Sequence, residues 1–228
     1  MAIGNNDPRI PQFGTPKKQE GKLNLKEILS FFKTLFLFLL LAFFLRASIV
    51  EAYKIPSGSM IPTLRIGDHI LVSKLSYGFR LPYGFKFPFS IKDAMIFQYD
   101  TPKRGDVVVF TRPDDLASPE DDSSINIIKR VIGLPGDTVK VRGAKVTIND
   151  KEIEEQYARW QEGGIPEGDF GPQTVPDGHV LLMGDNRDRS RDSRFWSYPF
   201  LEISRIKGRA LFIYWSWDSI GRVFTIIR

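Results

Sequence analysis

The chain has 228 residues, 42% hydrophobic and 26% charged, with 32 Lys and Arg against 27 Asp and Glu for a net charge of +5, a balance that excludes wholesale disorder and collagen-like architecture. It contains no cysteine, so disulfide frameworks, cysteine nucleophiles, zinc ribbons and iron–sulfur clusters are excluded, and His69 and His179 are too few for a multi-histidine metal site. Charges of both signs are interspersed, and no basic stripe carries interleaved aromatics, so no nucleic-acid footprint is expected.

Residues 1–27 read as a disordered polar tail, broken by Pro8, Pro11, Gly14 and Pro16. From 28 to 50 the composition changes to Leu and Phe, with Lys33 near one end and Arg46 near the other. A helix of this stretch is about 35 Å long and suits a single transmembrane anchor whose two cations snorkel to opposite interfaces. The basic residues of the tail place it in the cytoplasm by the positive-inside tendency, and everything after residue 50 outside. Two other readings are a cleaved secretory signal, with Val50-Glu51-Ala52 near the cut, and a buried core helix; the apolar run is long for the first and lacks the polar face of the second.

Beyond the anchor, short runs of β-branched and aromatic residues are separated by turn signals. Strands are expected at 68–76, 105–111, 125–132, 138–141, 145–148, 179–183 and 206–215. The expected fold is therefore mainly β: an antiparallel catalytic domain over 51–228, with a small hairpin insertion at about 138–178 whose turns fall at Arg142-Gly143-Ala144 and Asn149-Asp150. Residues 77–89 hold six aromatics, prolines and two cations without strand or helix period, and suit either a bilayer interface or a loop packed on the sheet. The acidic stretch 114–122 reads as a solvated connection.

Three runs can carry chemistry. In Ile55-Pro56-Ser57-Gly58-Ser59-Met60-Ile61-Pro62-Thr63-Leu64, two prolines and a glycine impose a tight backbone. Such a turn is ordinary by itself, and it is also a way to project a hydroxyl beside backbone N–H groups that can hold an oxyanion. The strand-like run 125–137 contains Lys129 and Arg130 on opposite alternating faces. Alternation does not say which cation is buried; only lysine can lose its proton and act as a base, whereas an edge-strand lysine would keep its ammonium in water. In Gly184-Asp185-Asn186-Arg187-Asp188-Arg189-Ser190-Arg191-Asp192-Ser193-Arg194, alternating acids and arginines fit either a solvated loop or one made rigid by ion pairs.

Taken together, the serine run just after an anchor, then Arg104-Gly105-Asp106-Val107-Val108-Val109-Phe110, then Lys129-Arg130-Val131-Ile132-Gly133-Leu134-Pro135-Gly136-Asp137, then the acid–arginine run, resemble the bacterial type I signal peptidases in content and order. The resemblance covers most of 28–217. It implies Ser59 as nucleophile, Lys129 as general base, Ser57 as an oxyanion-hole hydroxyl acting with the Ser59 N–H, and Ser190 as the hydroxyl that orients the lysine. Asp192 and Arg194 match supporting residues, and Ile55, Pro56, Met60, Leu64 and Ile128 match the shallow pockets for small side chains. Many relatives have two membrane segments where this chain shows one. The implied activity is removal of N-terminal signal peptides from exported preproteins at the outer face of the cytoplasmic membrane, with the lipid bilayer as the other partner and no metal or other cofactor. Ser59 lies nine residues past Val50, so tethering alone brings it to the interface. A self-cleaving relative with the same pair, or an anchored periplasmic β-domain that binds a partner without catalysis, are the competing readings.

Overall fold

The computed structural model describes residues 24–80, 95–111, 126–160 and 168–228. The backbone divides into two units, with the boundary between Leu41 and Ala42. Among the described residues there is one α-helix, α1, which runs Leu25–Ile49. Asn24 opens it: its carbonyl accepts from the N–H groups of Glu27 and Ile28, its side chain accepts from Lys26 N–H, and Glu27 complements the positive end of the helix dipole. Leu29, Phe31, Phe32, Leu35 to Leu41 and Phe43 are all exposed, and from Leu35 to Phe43 the helix surface is apolar all round. Among the described residues no helix is long and apolar enough to cross a membrane. Lys26 and Glu27, expected in the disordered tail 1–27, lie in this helix together with Lys33, and residues 1–23 of that tail lie outside the described residues.

The apolar run ends in a strand rather than a longer helix. β1 (Val50–Lys54) pairs antiparallel with β2 (Asp68–Ser73), Ala52 opposite Leu71. The remaining strands follow as β3 (Gly78–Arg80), β4 (Met95–Gln98), β5 (Val107–Thr111), β6 (Asn126–Gly133), β7 (Thr138–Arg142), β8 (Lys145–Ile148), β9 (Lys151–Glu152), β10 (Phe170–Thr174), β11 (His179–Met183), β12 (Leu201–Glu202) and β13 (Ile206–Ser216). A seven-stranded sheet has the order β1-β2-β13-β5-β6-β11-β12, all of its pairs antiparallel; a second has the order β10-β7-β8-β9; and β3 pairs with β4. The fold is mainly β and antiparallel, as expected. The aromatic stretch lacks strand periodicity, yet its first residues form β3; residues 81–94 and 112–125 lie outside the described residues, and with them most of that stretch and the acidic loop.

The central sheet is buried on both faces. Along β5, Val108 and Phe110 enter one core cluster with Val131, Leu182 and Ile206, while Val107 and Val109 enter another with Ile55, Met60, Leu64 and Ile213. A third cluster lies between β6 and β11 on one side and the smaller sheet on the other, joining Ile132, Leu181 and Met183 to Val139, Val141 and Val146. In the smaller sheet, Asn149 and Asp150 both have positive φ, 52° and 64°, the backbone of a tight two-residue hairpin turn.

Candidate active site

The loop between β1 and β2 carries Ser59. Ile55 N–H donates to Asp68 O and Gly67 N–H to Ile55 O, which closes the base of the loop, and Leu64 N–H donates to Met60 O inside it. Ile55, Met60 and Leu64 are buried and anchor the loop in the core. Ser57, Gly58 and Ser59 are therefore presented by a fixed backbone between apolar anchors, with Ser57 exposed.

β6 brings Lys129 to that loop. Its Nζ lies 2.8 Å from Ser59 Oγ and 3.1 Å from Ile128 O, and the residue is only 4% exposed. Burial removes water from the ammonium and lowers the Lys129 pKa to about 8, against the opposing pull of the Asp192 and Asp185 carboxylates. Arg130 is completely buried too, which is why alternation could not separate the two cations: both faces of β6 are covered. The arginine has a different task. Its guanidinium is bidentate to Asp185 (2.8 and 2.6 Å), donates to the carbonyl oxygens of Gly105 and Arg228, and lies 3.9 Å from the centre of the Tyr157 ring.

Ion pairs make the 184–194 loop rigid, several with partners outside it. Arg194 pairs with Asp192, which also accepts from Gly184 N–H at 2.9 Å; Arg187 is bidentate to Glu155 at 2.6 and 2.7 Å. Gly184 cannot carry a side chain, since a Cβ there would lie 2.3 Å from Ser190 Oγ and 2.5 Å from Ser59 O. Ser190 is buried beside this glycine, and its hydroxyl has no hydrogen-bond partner among the described residues. The lysine amine is held by Ile128 O and Ser59 Oγ, so the orienting bond expected of Ser190 is not formed here.

A groove of about 370 Å³ ends on this pair. Ile55, Pro56, Ser57, Met60 and Ile128 line it, together with Asn126 and Tyr53. Leu64 is not in the lining: it is fully buried in the core cluster beneath, shared with Met60. His69 faces Tyr214 with Nδ1 near Gly67 O, His179 faces Tyr198 with Nδ1 near Asp177 O, and neither borders the groove. Sequence reasoning missed Asp185, Thr63, Tyr157 and Glu155, whose side-chain partners lie 27 or more positions away (Arg130 to Tyr157 being the nearest) except for the Tyr157–Glu155 contact.

An apolar groove that leads onto a hydroxyl beside a buried amine has the chemistry of a hydrolase. The family model described as "Signal peptidase, peptidase S26" matches residues 28–215, and the chain belongs to that family, whose members are signal peptidases. A Signal peptidase I from Leptolyngbya laminosa is 37% identical over 84% of this chain and 81% of its own length. Those of Pseudomonas fluorescens and Pseudomonas aeruginosa are 36% and 35% identical over 86% of this chain, each match spanning 76% of the relative.

Proposed function

We propose that the chain is a membrane-anchored serine endopeptidase that removes signal peptides from exported preproteins through a Ser59/Lys129 dyad. The observation that carries this reading is the 2.8 Å contact between a buried amine and the Ser59 hydroxyl at the end of an apolar groove. Neutral Lys129 takes the Ser59 proton as Oγ attacks the scissile carbonyl, and the resulting ammonium returns it to the leaving amine. The oxyanion is held by Ser59 N–H and the Ser57 hydroxyl; the amine, neutral again, then deprotonates the water that hydrolyses the acyl-enzyme.

Two backbone edges that are open among the described residues favour an extended substrate. β1 is the terminal strand of its sheet, and β11 pairs with β6 only from Arg130 onward, which leaves 126–129 without a β11 partner. A preprotein segment lying between Tyr53–Ser57 and Asn126–Ile128 gains main-chain hydrogen bonds, while Ile55, Met60 and Ile128 limit the side chains at the cleavage site to small ones. The anchor is proposed for the helical part of 28–50, supported by the apolar surface of α1 from Leu35 to Phe43, with the N-terminal residues on the cytoplasmic side and the catalytic domain, 51–228, on the outer face of the cytoplasmic membrane. The test is cleavage of an Ala-x-Ala precursor by the full chain in detergent. Ser59→Ala and Lys129→Ala should each abolish it in folded protein. Activity surviving either change refutes the dyad, and an inactive wild type favours the binding-domain reading.

A further inference from the structure

Asn186 stands against the nucleophile loop and is not needed by the dyad chemistry. Its side-chain Nδ2 donates to Gly58 O at 2.9 Å, and its main-chain N–H donates to Ser59 O at 3.1 Å. The orientation of the amide follows from chemistry: a carbonyl oxygen only accepts, so the atom facing Gly58 O is the NH₂ nitrogen. Gly58 C=O and Ser59 N–H belong to one planar trans peptide unit and point in opposite directions. Holding the oxygen therefore aims the N–H. The second bond holds the next peptide unit in the same way, so the planes on both sides of the Ser59 Cα are set by one residue. With both planes set, so are φ and ψ of Ser59 and the direction of its Cα–Cβ bond.

Asn186 is itself held from behind. Arg159 N–H donates to Asp185 O at 2.7 Å and Arg187 N–H to Arg159 O at 2.9 Å, bracketing it, while the flanking Asp185 and Arg187 are tied into the buried pairs with Arg130 and Glu155. A donor fixed before the reaction needs no reorganisation when charge develops. Resting on the peptidase reading above, we infer that Asn186 is a positioning residue that aims the Ser59 N–H into the oxyanion hole, acting on transition-state charge rather than on the proton transfer to Lys129.

The experiment uses the full chain in detergent and an Ala-x-Ala precursor, with Ser59→Ala as the inactive reference. Asn186→Asp keeps the shape but places an acceptor against Gly58 O; Asn186→Ala removes the group and carries the test if the aspartate variant does not fold. Removing one oxyanion donor costs about 10²- to 10³-fold in kcat, so misaiming one is expected to lower kcat about 10- to 100-fold with KM within about twofold. The pH profile is read on Asn186→Ala, which brings no new charge near Lys129, and its rising limb keeps the wild-type apparent pKa. Combined with Ser57→Ala, the loss is less than the product of the two single losses, since both act on one oxyanion. A folded variant with wild-type kcat, a shifted pH limb, or losses that multiply fully overturns the inference. A wild-type chain that cleaves nothing instead overturns the peptidase reading on which it rests.

Discussion

The buried lysine makes a quantitative prediction about pH. Lys129 is almost fully enclosed, and loss of hydration lowers its pKa to about 8 from the usual 10.5. A base with pKa 8 is about 9% neutral at pH 7, whereas one at 10.5 is about 0.03% neutral, a ratio of roughly 300 in working enzyme. kcat/KM for a precursor should accordingly rise about tenfold per pH unit up to about pH 8 and level off above it. The measurement is kcat/KM from pH 5.5 to 10.5 at fixed ionic strength, with circular dichroism at each pH to verify folding. A limb that breaks near 6.5 would implicate a histidine, and one that climbs past pH 10 would mean the lysine is hydrated; either result refutes the reasoning.

The same burial has a cost in stability. Below pH 8 the ammonium is charged in both folded and unfolded chains, so folding bears the full desolvation; between 8 and 10.5 the folded chain binds fewer protons and the cost fades as pH rises. Lys129→Met, inactive, should therefore unfold at higher urea than wild type at pH 7, by up to roughly 3 kcal/mol, with the advantage largely gone at pH 10.5; an advantage that does not change with pH would contradict this account. Asp185→Asn leaves the fully buried Arg130 without its counter-charge and should cost about 3–5 kcal/mol by urea titration, a loss under 1 kcal/mol arguing against the pair as a structural tie. Gly184→Ala drives a methyl into Ser190 Oγ and Ser59 O, so the folded fraction should lose most of its activity, and wild-type cleavage would show that the loop can move aside.

The local features of this protein were legible in the sequence because they depend on near neighbours. Alternating β-branched residues marked β5, β6, β7, β8, β11 and β13, and Asn149-Asp150 marked a turn whose positive φ values those residues tolerate. The serine, the lysine and the acid–arginine run were visible as chemistry in short runs. Their arrangement was not. Lys129 and Arg130 have the same charge and neighbouring positions, and only the covering of both faces of β6 decided that one amine meets Ser59 while the guanidinium meets Asp185. The strand at Val50–Lys54 was hidden because its apolar residues continue the helix composition, and pairing with β2 tipped the choice. Leu64 reads like a groove residue but turns into the core, and Asn186 stands in the acid–arginine run with nothing local to give it a role, because its hydrogen bonds to Gly58 and Ser59 span more than 120 positions. Residue type and periodicity fix what each segment can do, while the closure of long loops by buried pairs decides which groups come within bonding distance.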